Sequence, residues 1–254
     1  MDVRGKAAIV TGSATGIGRA VALALADAGC HVAVNYTRSE KEAEATAADV
    51  RARGVEAVVV RGDVSVDAEC VRMVDEAVAR FGRLDVLVNN AGTTVFVPHK
   101  DLDALTEEAW DRIFAVNVKG AFFMARAAAK HLRAGGPGVI VNVSSTAGTT
   151  GGGSSIPYAA SKAALDNLTV SLARALAPEV RVNGVAPGFV DTRWLAEGLG
   201  ARLGAVRKHV AEQTPLRGAG RPEQIAQAVL SMISGLDWVT GQVLVVDGGY
   251  VLRS

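Results

Sequence analysis

Cysteine is scarce in this chain. Only Cys30 and Cys70 occur in 254 residues, and neither belongs to a Cys-x-x-Cys pair. A disulfide-stapled scaffold is thereby excluded, and a reduced, cytoplasmic setting is expected. The histidines are as sparse: His31, His99, His131 and His209 share no metal-ligand spacing, so no metal site is expected. Neither sign of charge dominates, with 27 basic and 26 acidic residues and a net charge of +1. There is no basic run, and the aromatic residues, 5% of the chain, do not cluster. Nucleic acid and anionic membrane surfaces are therefore not expected partners. Long hydrophobic runs are missing too. The apolar stretches break well short of the roughly 20 residues that cross a bilayer. The first residues, MDVRGKAAIVTG, enter a strand pattern without the apolar h-region of a secretion signal.

What is present is an alternation. Short β-branched runs at Ala7–Thr11, His31–Tyr36, Ala57–Arg61, Val86–Asn89, Gly138–Val143, Arg181–Val185 and Gln242–Val246 read as strands. Between them, helical patterns cover Gly16–Ala28, Ser39–Arg53, Val66–Phe81, Thr106–Arg133, Pro157–Ala177 and Pro222–Ser234. Ser39 with Glu42 fits a capping box, and Pro222 suits a first helical position. The strands are continuously apolar, as strands covered on both faces are. The alternation predicts an α/β fold: one doubly wound Rossmann-type domain over 1–254, with a mostly or wholly parallel seven-stranded sheet flanked by helices. In such a fold ligands bind beyond the carboxyl ends of the strands.

The chemistry-bearing residues fall in those places. Directly after the first strand come Gly12, Ser13, Thr15, Gly16, Ile17 and Gly18, with the glycines spaced Gly-x-x-x-Gly-x-Gly and opening a helix. Glycine permits a tight turn and a close approach of backbone to a pyrophosphate at a helix N-terminus. A ribose reader is expected at the end of the second strand, where Tyr36, Thr37, Arg38 and Ser39 stand with no carboxylate before Glu40. Arg38 between two hydroxyls suits a 2′-phosphate, which favours NADP(H) over NAD(H). After the third strand, Asp63 is placed for an adenine amino group, beside Val64. Asn90, Ala91 and Gly92 after the fourth offer backbone for a flat ring. Ser145 follows the fifth strand, and Pro187, Gly188, Val190 and Thr192 follow the sixth. Tyr158 and Lys162, four apart, share one face at the start of an otherwise apolar helix. Read alone, each of these has a bland structural explanation, Asn117 as a satisfied polar residue in a buried helix most of all.

Together, in this order, they resemble the short-chain dehydrogenase/reductase family over essentially the full length. The likeness rests on TGxxxGIG at Thr11–Gly18, NNAG at Asn89–Gly92, Asn117, the Ser-x12-Tyr-x3-Lys set of Ser145, Tyr158 and Lys162, the segment Pro187–Thr192, and TGQ…VDGG at Thr240–Gly249. The resemblance implies a nicotinamide dinucleotide and a catalytic set of Asn117, Ser145, Tyr158 and Lys162. Tyr158 would exchange a proton with a substrate carbonyl or alcohol oxygen. Lys162 would favour its phenolate and hold the nicotinamide ribose. Ser145 would bond the substrate oxygen, and Asn117 would hold a relay water. The likeness is greatest to 3-oxoacyl-carrier-protein reductases. However, the helix end Ala177-Pro178-Glu179 lacks the basic residues expected for an acidic carrier.

Beyond the set itself, Val190–Leu216, about 190–216, reads as a helical lid over a small-molecule carbonyl or alcohol, with Thr93–Val97 as the opposite wall. The apolar faces of Thr106–Arg133 and Pro157–Ala177 call for a partner, and the resemblance implies a homotetramer. Two other functions share parts of the pattern. A non-catalytic scaffold would not need Ser145, Tyr158 and Lys162 together. A sugar-nucleotide epimerase or dehydratase resembles a longer chain with different glycine spacing.

Overall fold

The computed structural model describes residues 1–252. Seven strands form one sheet in the order β3-β2-β1-β4-β5-β6-β7, and every neighbouring pair is parallel. The strands are β1 (Ala7–Val10), β2 (His31–Tyr36), β3 (Ala57–Arg61), β4 (Val86–Asn89), β5 (Gly138–Val143), β6 (Val180–Pro187) and β7 (Val243–Val246). All seven expected strands are present, shifted by at most two residues at either end. Chain order reverses between β1 and β4, which opens a crevice at their carboxyl ends.

Continuous apolar strands are explained by the two cores. Along β1, Ala8 and Val10 face one core and Ile9 the other; along β2, Val32 and Val34 oppose Ala33. The first core is closed by α1 (Gly16–Asp27), α2 (Glu40–Arg51) and α10 (Pro222–Ser234), through Val21, Leu25, Val50, Ile225 and Val229. The second is closed by α3 (Asp67–Phe81), α5 (Ala121–Ala134) and α7 (Ile156–Leu176), through Met73, Met124, Leu132 and Leu172. Both faces of each central strand are dry, so polar alternation has no place there. One polar path crosses the second core. Asn89 donates to the Asn142 carbonyl at 2.9 Å and Asn142 to the Thr169 hydroxyl at 2.9 Å, linking β4, β5 and α7.

Two expectations fail locally. The helix foreseen over Thr106–Arg133 is continuous, but its middle is a π segment, Ala115–Gly120, between α4 (Glu107–Phe114) and α5. The Ser39/Glu42 capping box does not form. Ser39 makes no side-chain cap bond, and the Glu42 carboxylate is taken by Arg193 at 2.8 Å. A long-range guanidinium outcompetes the local amide. Pro222 does open α10, where Arg221 and Gln224 form the reciprocal cap.

The lid contains α8 (Arg193–Leu199), a 3-10 turn at Gly200–Arg202 and α9 (Leu203–Gln213). Helix α8 buries no residue and α9 only Val210. No helix among the described residues is long and apolar enough to cross a membrane.

Candidate active site

The site begins at the turn after β1, whose path is fixed by side chains of neighbouring strands. Gly12 sits at φ +61°, in the left-handed region where glycine is free of strain. Its amide donates to Asn35 Oδ1 at 2.9 Å. Asn90 Nδ2 donates to the carbonyls of Thr11 and Gly12, at 2.9 and 3.1 Å. Thr11 Oγ1 accepts from the amides of Asn90 and Ala91. Ser13 is fully buried, its hydroxyl donating to Val10 O at 2.6 Å. The side chains of Asn90 and Ser13, both expected at the cofactor, shape the turn on which it would rest. Thr11 and Asn35, which do much of that shaping, were not singled out in the sequence. Their signal was weak, a polar residue at the end of an apolar strand.

The turn leaves a backbone cradle. A Cβ at Gly18 would stand 2.5 Å from the Gly12 carbonyl oxygen, and one at Gly12 would stand 3.1 Å from Ala91 Cα. Thr15 is the N-cap residue of α1 and makes no side-chain cap bond. Gly16 faces Thr192 at the base of the lid, with Ile17 packed on the core beneath. A dinucleotide phosphate fits this arrangement of open amides at a helix start, where bulk is excluded by backbone contact.

The ribose end lies where β2 and β3 stop. Thr37 Oγ1 donates to Gly62 O at 3.1 Å. Arg38 is exposed and, among the described residues, has no carboxylate partner. Glu40 is hydrogen-bonded to the Tyr36 phenol. Thr37, Arg61, Gly62, Asp63, Glu69 and Arg72 line a cavity of about 350 Å³. Arg61 and Arg72 are additions to the sequence reading; one ends β3 and the other lies in the second turn of α3, and only the fold brings them together. Asp63 is engaged by Ser65 at 2.6 Å and Arg112 at 2.9 Å. Burial works against its charge, but these two bonds hold its carboxyl below the ordinary value. Val64 packs against Gly120, where the π segment ends.

At the other end of the crevice stand Ser145, Tyr158 and Lys162. Ser155 caps α7, its hydroxyl accepting from the Tyr158 amide at 3.4 Å. The first turn of α7 therefore faces the end of β5, with Ser145 hydrogen-bonded to the Tyr158 phenol. Lys162 Nζ lies 5.6 Å from the Tyr158 ring centre and donates to Val143 O at 2.8 Å. Burial pushes the Tyr158 phenol up to about 12, opposed by the Ser145 hydrogen bond. Burial pushes Lys162 down to about 8, opposed by the Asp166 carboxylate one turn on. In the free protein, desolvation of the phenolate dominates and holds the Tyr158 phenol above its ordinary value.

Asn117 sits in the π segment, 1% exposed. Its Oδ1 accepts from Thr93 N at 2.8 Å, and its Nδ2 donates to Thr93 O at 3.0 Å and Ser161 Oγ at 2.9 Å. The side chain is thus fully engaged in fixing the Thr93 wall. A Cβ on Gly92 would lie 3.5 Å from Asn117 Oδ1 and 3.8 Å from Lys162 Nζ, so the two meet around that glycine. π segments recur at functional sites because they redirect side chains within a helix.

Pro187 ends β6 and accepts from Thr146 N at 3.0 Å, which fixes the loop carrying Ser145. Gly188 packs against Asp247. Val190 is buried in the first core and bridges to Gly220, leaving only its backbone toward the crevice.

A glycine cradle at the β1 turn and a Ser-Tyr-Lys constellation across the switch point define a dinucleotide-dependent oxidoreductase fold and site. The comparisons agree. The family model described as enoyl-(acyl carrier protein) reductase matches residues 12–251. The ketoacyl reductase 2 of the granaticin polyketide synthase of Streptomyces violaceoruber is 48% identical over 95% of this chain and 94% of the relative. A 3-oxoacyl-[acyl-carrier-protein] reductase of Staphylococcus aureus is 38% identical over 96% of this chain and 97% of the relative. The crystal structure of a gluconate 5-dehydrogenase from Burkholderia cenocepacia, in complex with NADP and tartrate, superposes with a TM-score of 0.89 at 34% identity, covering 99% and 97% of the two chains. The chain belongs to the short-chain dehydrogenase/reductase family of oxidoreductases.

Proposed function

We propose that the protein is an NADP(H)-dependent carbonyl reductase whose substrates include 3-oxoacyl thioesters, with Tyr158 as the proton donor. The observation that carries this reading is the buried Tyr158 phenol with the Ser145 hydroxyl beside it and Lys162 Nζ 5.6 Å from its ring centre, at the strand ends beyond the glycine cradle. Two hydroxyls side by side suit one carbonyl oxygen: Ser145 stabilises its developing charge while Tyr158 delivers the proton. A nicotinamide dinucleotide bound along the crevice supplies the hydride. Lys162 and Tyr158 hold the sugar next to the ring, and Gly92 leaves room there.

Arg38, free of a carboxylate, together with Arg61 on the lining of the neighbouring cavity, supports a 2′-phosphate and hence NADPH. The ketoacyl reductases among the relatives support the thioester. The half-exposed Phe122 on α5 and Leu244 and Val245 on β7 support burial against further copies, as a homotetramer. The test is the loss of reduced-nicotinamide absorbance on a short β-ketoacyl thioester. Turnover with NADPH, lost in Tyr158→Phe, supports the reading; no turnover of any ketone by protein shown to bind NADPH overturns it. Arg38→Ala is expected to weaken NADPH about tenfold more than NADH, the weight of one charge-assisted bond to phosphate. Equal losses remove Arg38 from the site.

A further inference from the structure

The chain has three tryptophans, three tyrosines and six phenylalanines. One of each kind, from segments far apart in sequence, meets at the reacting phenol. Trp194 of α8 lies 5.8 Å from the Tyr158 ring centre at 63°, and Phe96 of the wall lies 6.3 Å from Trp194 at 74°. Both contacts are edge-to-face, the arrangement that aromatic quadrupoles prefer.

The group is held from below. Phe96 is seated against Gly198, one turn beyond Trp194, so closely that any Cβ there would run into the ring. The loop carrying Phe96 is fastened to the start of α7 by Val97 N donating to Ser154 O at 3.0 Å and by the Thr94 and Ser154 hydroxyls at 2.7 Å. The helix that carries Trp194 buries no residue of its own. Even in contact with Tyr158, Trp194 keeps 41% of its surface open. An indole that is neither core nor free surface, and stands beside the proton donor, is placed to meet what approaches Tyr158.

From this, and resting on the reductase reading above, we infer that Trp194 and Phe96 are specificity-determining residues. They select a ketone whose carbonyl lies in a ring fused to a flat unsaturated ring. Two rings set nearly at right angles offer a face and an edge at once, and a flat ring can use both. A flexible acyl chain gains contact area only, and loses rotamer freedom when it is held. Selection at this point acts on substrate binding, since neither residue carries a proton for the reaction.

The test compares three probes with NADPH: 2-tetralone, its saturated counterpart 2-decalone, and an acetoacetyl thioester. The wild-type protein is expected to favour 2-tetralone over 2-decalone by at least fivefold in kcat/KM. Trp194→Ala should lose tenfold or more on 2-tetralone, mostly in KM, and less than threefold on the thioester. Trp194→Phe should recover most of the loss. Unchanged NADPH binding checks that the variants are folded. Equal losses on all three probes, or no preference for the unsaturated ring, overturn the inference. A second readout needs no turnover. In Trp110→Phe/Trp238→Phe protein, the remaining indole is Trp194, and 2-tetralone should quench its emission saturably while the thioester does not. Quenching without turnover of any carbonyl would leave the ring site standing and sink the reductase reading. Turnover without quenching would do the reverse.

Discussion

The two ends of the crevice are held by different forces. At the β1 turn, Gly12 is fixed by part-buried bonds, its amide donating to Asn35 of β2 and its carbonyl accepting from Asn90 just past β4. At the segment 190–216, one ion pair between half-exposed groups reaches the body, Arg193 with Glu42 at 2.8 Å, and a second, Arg207 with Asp191 at 2.7 Å, ties the segment to its own base. Losing one partner of a buried hydrogen bond costs about 1–3 kcal/mol. An exposed ion pair contributes about 0–1 kcal/mol. The ion pairs are therefore the weaker of the two kinds of contact.

The sharpest break in this contrast is at the chemistry itself. Tyr158→Phe is expected to lower kcat for ketone reduction by about 10²–10⁴, the usual contribution of a general acid. Cofactor affinity, measured by quenching or calorimetry, should fall less than about tenfold, the weight of one hydrogen bond to the sugar, and a variant with near-normal kcat would remove Tyr158 from its role. Gly18→Ala probes the cradle. Its Cβ would press on Gly12 O and on the Asn90 side chain. A loss of about 1–3 kcal/mol of stability is expected from overpacking, with cofactor binding reduced in parallel. A variant with wild-type melting temperature and affinity would show that the turn is not rigid.

A smaller effect belongs to Lys162. Its ammonium is present below about pH 8 and lost above it. The kcat/KM for reduction should therefore fall about tenfold per pH unit above 8, since this ratio reports groups of the free protein. A flat profile to pH 9.5 would exclude the ammonium as a requirement. The smallest effect is expected at the lid. Glu42→Gln should raise the cofactor dissociation rate less than about fivefold, the weight of one exposed pair. The change should vanish at high salt. A large, salt-independent effect would mean that the lid is as firmly built as the cradle.

How much of this could be read from the sequence follows the same division. The sheet was legible because strands covered on both faces must be apolar throughout, and Leu87 between Val86 and Val88 shows why alternation is absent. Ser145, Tyr158 and Lys162 are placed together because a cap and a four-residue spacing are local facts. What escaped was nonlocal. Glu42 looks like a capping partner for Ser39 until Arg193, 151 residues away, claims it. The π segment has the composition of the helices on either side. Asn35 reads as a strand residue, and only the neighbouring turn shows that it holds Gly12. Phe96 and Trp194 fall in the segments expected as wall and lid, but the contact of their rings at Tyr158 is a product of the fold alone.

The base of the lid carries one more consequence. Thr192 stands beside Gly16, and Arg193 reaches over to Glu42, so the start of α8 lies across the mouth of the groove that a dinucleotide would fill. Such a roof imposes an itinerary. The nucleotide must enter before the roof settles and the ketone after it, and the alcohol must depart while the nucleotide is still covered. Steady-state inhibition should show this as compulsory order, with the oxidised nucleotide competing against the reduced one and the alcohol giving mixed inhibition against both substrates.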